Sequence, residues 1–352
     1  MTIPTESIGS LPRPRDLQQA HEDFMSKKID RKSYDEVLEM NLEHFVNSLE
    51  SIGSPVITDG EVFKQSFALY PIAGVDVDPN GATIPFNDGH VRQLPTIKGP
   101  VKFTQYAYQF LEKTKSKTST PVKATVISPS ALSLLYPSTE LPNYSREKYI
   151  QDILNESEKD IKQCLSLGAD SVQIDATELR LALKLDPSGG LIDQFVSLNN
   201  QLLSRFNDQE IQKIGIHTCP GSDQDSCHSQ DVDYAQLIPY LFKINVGRVY
   251  MSLASESDKE RILSVIRDNY KPNQKLFFGV IDVCDPRVET PQEVCDRIME
   301  IARFIPLEQI GTCDDCGFSP FCDDQSTSFA TAIAKINVRI EGTNLASKQL
   351  GI

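Results

Sequence analysis

Residues Lys213–Pro220 read KIGIHTCP, a short apolar run that ends in His-x-Cys and then a turn. If this run is a buried strand, side chains two residues apart share a side, so His217 and Cys219 leave its end pointing the same way. A neutral imidazole and a thiolate held together suit zinc, which takes nitrogen and sulfur ligands and needs others from elsewhere in the fold. A later candidate is Cys316, in the run GTCDDCG. Taken alone, the motif leaves open a buried His beside a buried Cys with no metal.

The composition is that of an acidic protein with enough apolar residues for a large core. The chain has 352 residues, of which 39% are hydrophobic, and its net charge is −14 at pH 7. This length fits one large α/β barrel or two ordinary domains. The acidic residues are spread along the chain, which argues against nucleic acid as a partner.

The sequence also contains no signal for a membrane or for export. No apolar run approaches the roughly 20 residues that cross a bilayer, and residues 1–6 lack the basic start and apolar core of a signal peptide. We therefore expect a cytoplasmic protein without a membrane partner. Its eight cysteines are then expected to be thiols, some of them metal ligands, instead of disulfides.

Apolar segments of strand length alternate with helical patterns along the whole chain. Eight such units with short connections indicate an α/β fold, a single (β/α)8 TIM barrel over residues 1–352, and no Gly-x-Gly-x-x-Gly follows any of the segments. Residues from about 67 to 99 lack clear periodicity and are expected to be irregular, with a hairpin. The predicted strands lie at residues 7–10, 55–61, 122–127, 171–175, 213–216, 249–253, 276–282 and 309–312.

Residues capable of chemistry collect where these predicted strands end. In a TIM barrel the active site lies at the carboxyl ends of the strands. Side chains from six different strands would therefore meet at one mouth of the barrel, which favours a zinc-type site there. The residues concerned are Ser10, Asp59, Glu61, Asp175, His217, Cys219, Asp282 and Cys316.

Five short motifs together resemble a known family. The chain is similar, over essentially its whole length, to the catalytic C-terminal barrel of cobalamin-independent methionine synthase. The N-terminal half of that double-barrel enzyme has no counterpart here, so the chain looks like a short, single-barrel relative. The motifs, in order, are IGSLP at 8–12, DGE at 59–61, QID at 173–175, IHTC at 216–219 and DCG at 315–317.

The resemblance implies a zinc-dependent methyltransferase. It implies that His217, Cys219 and Cys316 bind Zn²⁺ and that the zinc binds the sulfur of a thiol substrate, homocysteine in the family. A free thiol with a pKa near roughly 8.5 is mostly protonated at neutral pH, whereas a metal-bound thiol is deprotonated and still nucleophilic. Zinc has no redox chemistry of its own, so the implied reaction is alkyl transfer.

The resemblance also implies how an amino-acid thiol is held. Ser10 and the backbone around Ile8 would meet the carboxylate, and Glu61 with Asp175 would lie near the ammonium, where two acids face a cation. Alternative roles remain open. Asp175 would otherwise cap a strand end or pair with a base such as Arg180, and Ser10 and Glu61 would otherwise be ordinary turn residues.

This chain departs from the family pattern at its fourth zinc ligand, a Glu at the end of the sixth strand. That position reads Ser252 or Leu253 here, and Glu256 lies a few residues beyond. Either Glu256 completes the site or it is an acid at a helix N-terminus, favoured by the dipole. In the second case zinc keeps three protein ligands and an open position.

Two further departures concern the methyl donor. The family's proton-donating His after the seventh strand is Cys284 here, so we expect that Asp282 or Asp285 donates the proton or that the donor is not a folate. The family's pterin-stacking Trp has no equivalent, because the chain contains no Trp. A 5-methyltetrahydrofolate-type donor is therefore in question.

The sequence as a whole predicts an enzyme that moves a methyl group to a thiol, with homocysteine the first choice of acceptor and methionine the product. Its expected partners are a small thiol and a methyl donor. One alternative keeps the zinc and changes the thiol or the alkyl donor. The other is a non-catalytic protein that binds zinc or a small thiol.

Overall fold

The computed structural model describes residues 2–352 as helices packed around a parallel sheet. Two 3-10 helices, Tyr70–Ile72 and Leu307–Gln309, lie in the connections. The α-helices are α1 Arg15–Met25, α2 Arg31–Ser51, α3 Ala107–Lys115, α4 Pro129–Ser133, α5 Arg146–Ser166, α6 Glu178–Leu185, α7 Gly190–Leu203, α8 Asp208–Ile211, α9 Tyr234–Leu241, α10 Lys259–Asn269, α11 Pro291–Ile301 and α12 Phe329–Gln349. The strands are β1 Val77–Asp78, β2 Thr83–Pro85, β3 Val91–Gln93, β4 Thr96–Ile97, β5 Ala124–Ile127, β6 Val172–Asp175, β7 Ile214–Thr218, β8 Ser222–Asp223, β9 Ser226–Cys227, β10 Arg248–Met251, β11 Lys275–Ile281 and β12 Ile310–Asp314.

Six of these strands form one parallel sheet, in the order β12-β11-β10-β7-β6-β5. Two extended segments close the ring between its edges. Thr5 bridges Thr312 of β12, and Ile57 bridges Val122 just before β5, both in the parallel sense. The N–H of Leu11 donates to the carbonyl of Gly60 at 3.0 Å and links the two segments. The predicted TIM barrel is confirmed.

The first two predicted strands, 7–10 and 55–61, are wrong as strands, because each segment makes a single parallel bridge, at Thr5 and Ile57, instead of a ladder. The second segment ends in a turn in which Gly60 and Glu61 have φ of 63° and 58°. Extended backbone does not continue through such angles. Gly60 is required there, since a Cβ at this position would lie 2.4 Å from the Phe45 ring.

Burial on both faces explains why the barrel strands read as continuous apolar runs. All five residues of β7 and all five of β12 are buried, as expected for parallel strands covered by helices. The helices present one apolar face to the strands. In α2, Asp30 caps the N-terminus by accepting from the N–H of Ser33 (2.8 Å). The apolar face of this helix includes Leu38, Leu42, Phe45, Val46 and Leu49.

The predicted irregular region contains the expected hairpin. Strands β2 and β3 pair antiparallel, and β1 pairs with β4. Arg92 of β3 fastens the hairpin to the barrel mouth through Asp223 (2.5 and 2.9 Å) and Asp323 (2.8 and 2.9 Å). The hairpin therefore forms a wall over the carboxyl ends of the strands.

The alternation of strand-length segments and helical patterns in the sequence does not indicate the short helices α4, α6 and α8. Helix α4 has a readable start, because Ser128 accepts from the N–H of Ala131 (2.9 Å) and Pro129 occupies the first position. No helix in the described part of the chain has the length and apolar character to cross a membrane.

Candidate metal centre and substrate cavity

The ends of β7 and β12 bring one imidazole and two thiols together. His217 lies in β7, Cys219 directly follows that strand, and Cys316 follows β12, three places away in the sheet. Their ligand atoms lie within 4.8 Å of one another, and the two sulfurs are 2.8 Å apart. All three side chains are buried. One nitrogen and two sulfurs gathered at one point are a donor set that suits zinc, and three protein ligands leave a coordination position free.

Asp175 orients the imidazole of His217. The two residues are direct partners in the register of β6 and β7, and Asp175 Oδ1 lies 3.0 Å from His217 Nδ1. A carboxylate on one ring nitrogen fixes the tautomer and leaves the other nitrogen for a metal. Burial alone lowers the pKa of His217, but the hydrogen bond and charge of Asp175 outweigh it and raise that pKa above its usual value.

The two thiols differ in their readiness to lose a proton. The hydrogen bond from Cys219 and the charge of His217 lower the pKa of Cys316 to about 6, although burial opposes them. Burial raises the pKa of Cys219 well above the usual thiol value. At neutral pH, Cys219 therefore keeps its proton, while Cys316 loses its proton readily. Thiolates are the form that binds a metal, so Cys316 is ready to bind one, whereas Cys219 would release its proton only on binding.

A cavity of about 340 Å³ opens beside His217, Cys219 and Cys316, which we call the metal group. His217 and Cys316 line it, so a molecule in the cavity reaches the free side of the metal position. The same cavity is lined by all four residues that the sequence predicted for substrate binding, which are Ile8, Ser10, Glu61 and Asp175.

Residues 3–328 match the protein family described as "Cobalamin-independent synthase, Catalytic domain". The chain belongs to this family. The curated relatives include the 5-methyltetrahydropteroyltriglutamate–homocysteine methyltransferase of Kali turgidum, which is 23% identical over 321 residues that cover 90% of this chain and 40% of the relative. A second relative of the same description, methyltransferase 2 of Arabidopsis thaliana, is 21% identical. The match covers 99% of this chain and 43% of the relative. The chain therefore spans about two fifths of the length of these relatives.

A solved member of similar size supports the fold. The B12-independent methionine synthase of a Shewanella species, in complex with selenomethionine, superimposes with a TM-score of 0.77 at 19% identity, covering 99% of both chains. At that identity the similarity establishes the barrel and its extent. Substrates and activity have to be argued from the residues of this chain.

In this member of the family, Glu61 carries a partner that the sequence analysis missed. Lys64 donates to Glu61 Oε1 at 2.9 Å, and the hydroxyl of Thr125 donates to the same atom at 2.8 Å. Lys64 is buried, and its charge balances that of Glu61. Glu61 is also fixed in the left-handed turn by its N–H, which donates to Asp59 Oδ1 (2.8 Å). The spacing in the sequence, a Lys three residues after the Glu, could have indicated this ion pair.

Ser10 and Ile8 are both engaged with the protein. Ser10 Oγ accepts from the N–H of Ser319 at 3.2 Å, and the Ile8 carbonyl accepts from the amide of Gln173 at 3.0 Å. Gly317, directly after Cys316, allows this close packing, because a Cβ there would lie 2.2 Å from Ser10 Oγ. The segment around residue 10 is thus held against the metal group.

Glu256 lies outside the group formed by the imidazole and the two thiols. Its carboxylate pairs with Arg180 at 2.5 Å, and the guanidinium stacks over the Tyr234 ring at 4.8 Å. Arg180 therefore does not pair with Asp175, which was one of the open alternatives. The structure thus has a three-ligand arrangement, with Glu256 committed elsewhere.

Asp282 faces a second cavity, of about 520 Å³, on another side of Cys316. It does not line the first cavity, and its Oδ1 accepts from the N–H of Cys284 at 3.0 Å. Cys284 and Cys227 also line the second cavity, with their sulfurs 3.8 Å apart. The structure thus separates the predicted proton donor Asp282 from the predicted substrate-binding residues.

Proposed function

We propose that this chain catalyses transfer of a methyl group to the sulfur of an amino-acid thiol, with homocysteine as the acceptor and methionine as the product. One observation carries the proposal: the metal group of His217, Cys219 and Cys316 opens into a cavity whose wall includes Asp175. Zinc bound there supplies a Lewis acid that keeps the acceptor sulfur deprotonated at neutral pH.

Residues of the chain hold the rest of the acceptor. Asp175 presents a carboxylate to the ammonium while it orients His217, so that a single side chain links the amino-acid end to the metal end. Glu61 adds a second acid whose charge is balanced by Lys64. The hydroxyl of Ser10 lies next to the N–H of Ser319 and offers a donor for the carboxylate. These contacts fix the distance from the amino acid to the metal.

The similar proteins support this assignment. The curated relatives are described as homocysteine methyltransferases, and the Shewanella structure is described in complex with selenomethionine, the selenium form of the expected product. The donor-side role of Asp282 belongs to the same proposal, and it requires that a leaving group reaches the second cavity. The zinc-to-sulfur step does not depend on that role.

Metal analysis with thiol titration tests the proposal. Wild-type protein is expected to hold about one zinc per chain, and His217→Ala is expected to lose it, because removal of a ligand leaves two thiols. His44→Ala, an exposed histidine on α2, is the matched control and should keep the zinc. With cobalt in the site, homocysteine should produce a thiolate-to-metal charge-transfer band, which His217→Ala should lack.

The outcomes separate the alternatives. Zinc retained in His217→Ala would overturn the metal assignment. Zinc and homocysteine bound, with no methyl transferred from any donor of a panel, would identify a non-catalytic binding protein. Turnover with a different thiol, and none with homocysteine, would keep the chemistry and change the acceptor.

A further inference from the structure

Glu178 is a buried carboxyl that the proposed mechanism does not use. It begins α6, is 5% exposed and lines the first cavity. Its Oε1 accepts from the hydroxyls of Ser128 at 2.7 Å and Ser130 at 2.5 Å. Its Oε2 has no hydrogen-bond partner in the described part of the chain. A buried polar atom without a partner costs free energy, and a positive charge held nearby in the cavity would offset part of that cost.

The raised pKa of Glu178 is what a buried carboxyl without a positively charged partner should have. Burial raises the pKa of Glu178 to about 7, although the hydrogen bonds from Ser130 and Ser128 oppose the rise. The nearby charge of Asp175 raises it further. A positive charge beside the free oxygen would favour the ionised carboxylate and satisfy it.

The other fixed charges near the cavity are mostly balanced within the protein. Lys64 neutralises Glu61 at 2.9 Å. Arg92 is the one lining residue, among those described, with a permanent positive charge, and it is held by Asp223 and Asp323. No free cation of the described lining remains for an anionic ligand. Two acids remain instead, one beside the metal group and one at the start of α6.

Away from the metal group, the wall of the cavity is apolar and partly aromatic. The face of an aromatic ring attracts a cation and contacts methyl groups favourably. A small methylated cation would meet aromatic and aliphatic side chains on one side and a carboxylate on the other. The apolar lining includes Phe67, Phe86, Leu94, Leu135, Leu181 and Phe321.

We propose that the donor half of this cavity takes a small methyl cation donor, a methylsulfonium or a quaternary methylammonium, with its positive charge against Glu178. This inference rests on the proposed function, since it names the second substrate of the same reaction. An anionic donor would place its charges against two acids in a buried space, where like charges repel most strongly. The carboxyl at the start of α6 is thus a specificity-determining residue for the donor.

The chemistry balances without a proton for the leaving group. The acceptor thiolate attacks the methyl carbon of the sulfonium, a new S–CH3 bond forms, and the old S–CH3 bond breaks. The bonding electron pair stays on the departing sulfur, which leaves as a neutral sulfide. The thiolate charge and the onium charge cancel, so neither an oxidant nor an added acid is required. Glu178 stabilises the cation on binding and need not exchange a proton.

Binding to the zinc-loaded protein tests the inference separately from turnover. The probes are an alkyl dimethylsulfonium ion and its neutral methyl sulfide, measured by calorimetry without homocysteine, so that no methyl group is transferred during the titration. We expect the wild type to bind the cation at least about tenfold more tightly than the sulfide. Glu178→Gln, which keeps the shape and removes the charge, should lose most of that preference while sulfide binding stays unchanged.

Two further variants keep the result interpretable. Asp160→Asn removes another buried carboxyl, one held by the backbone N–H groups of Ala107 and Tyr108 outside the cavity, and should leave the preference intact. Glu178→Asp keeps the acid and should retain part of the preference, which controls for a folding defect in Glu178→Gln.

The outcomes also distinguish this inference from the function on which it rests. Equal affinity for cation and sulfide, or the same preference in Glu178→Gln, would overturn the inference even if methyl transfer from another donor is observed. Methyl transfer from 5-methyltetrahydrofolate, with none from the sulfonium, would also overturn it and leave the proposed function standing. Failure of every donor with the cation preference intact would count against the proposed function instead.

Discussion

The two ends of the first cavity are built in different ways. At the metal end, His217 and Asp175 are register partners on adjacent barrel strands, so the sheet itself fixes the distance between them. At the other end, the hairpin of β2 and β3 is held over the cavity by the side chains of Arg92 and His90 on Asp223 and by one backbone hydrogen bond, from the N–H of Asn87 to the carbonyl of Cys227 (3.0 Å). One end is set by backbone ladders and the other by a few side-chain contacts.

This difference indicates a division of labour between scaffold and loops. Strand ends of a TIM barrel place chemistry with little freedom, whereas loops vary in sequence and tune which molecule is admitted. In the proposed function, the acceptor and the metal belong to the rigid end, and the donor belongs to the end formed by the hairpin and α6. Substitutions at the rigid end should therefore lower activity with every substrate, whereas substitutions at the hairpin should change only the KM for the methyl donor.

The largest effect is expected from Asp175→Asn, at the rigid end. The change removes the charge that orients His217 and faces the ammonium of the acceptor. Loss of an orienting carboxylate costs roughly 10 to 100-fold in metal affinity or activity, and loss of a charged contact adds about another tenfold. Steady-state kinetics should show kcat/KM lower by roughly 10²- to 10³-fold, with zinc more easily removed by a chelator.

The matched control for this variant is Asp170→Asn. Asp170 lies at the opposite end of the same β-strand unit and is only partly buried, so its loss should leave zinc affinity and kinetics near wild type. An Asp175→Asn protein that keeps wild-type zinc affinity would contradict the orienting role. A loss confined to kcat, with an unchanged KM for the acceptor, would contradict the contact with the ammonium.

A smaller effect is expected from Glu178→Gln on the pH dependence of stability. The pKa of Glu178 is raised from 4.5 to about 7, so folding favours its protonated form. That contribution is fully present below the unfolded pKa of 4.5 and is lost as the pH rises to about 7. Relative to the variant, the wild type should lose roughly 3 kcal/mol in the free energy of unfolding between about pH 4 and pH 8.

Urea denaturation of both proteins, prepared free of metal, measures this difference. Protonation of the thiols and of His217 then affects both proteins equally and cancels. A difference between the two curves that does not change with pH would show that the pKa of Glu178 is the same in the folded and unfolded states. The result sharpens the comparison of the two ends, because it reports how dry the donor end of the cavity is.

Sequence reasoning could place the metal end because its geometry follows from periodicity. The two-residue repeat of a strand puts His217 and Cys219 on one side, and the barrel brings the ends of distant strands to one mouth. The same reasoning gave the eight extended segments around the ring. It failed on the hydrogen bonding of the first two segments, and in the second of them the left-handed turn at Gly60 and Glu61 ends the extended backbone.

The rest depends on side-chain pairings that no local pattern encodes. Glu256 is committed to Arg180, 76 residues away in the chain, and this pairing decides that it does not join the metal group. Lys64 could be seen as a near neighbour of Glu61, but its burial depends on how the second segment packs against β5. These contacts are set by packing across the barrel, beyond what spacing shows.

The smallest effect is expected from Arg92→Ala, at the hairpin end. The guanidinium is mostly buried and joins the hairpin to two separate loops, while it lies over the Phe321 ring at 4.2 Å. Partly exposed ion pairs contribute about 1 kcal/mol or less each. The KM for the methyl donor should therefore rise about two- to fivefold, while kcat and the KM for the thiol stay near wild type.

The pattern of kinetic constants in this variant, more than its size, decides whether the two ends are independent. Arg31→Ala breaks an exposed pair with Asp35 on α2 and should change none of these constants. A parallel rise in the KM for thiol and donor would show that the hairpin also holds the metal end in place. The contrast between a rigid acceptor site and a loop-built donor site would then fail. Asp223, which pairs with Arg92, follows Cys219 by only four residues, so a shift of Asp223 on loss of Arg92 would reach the metal end.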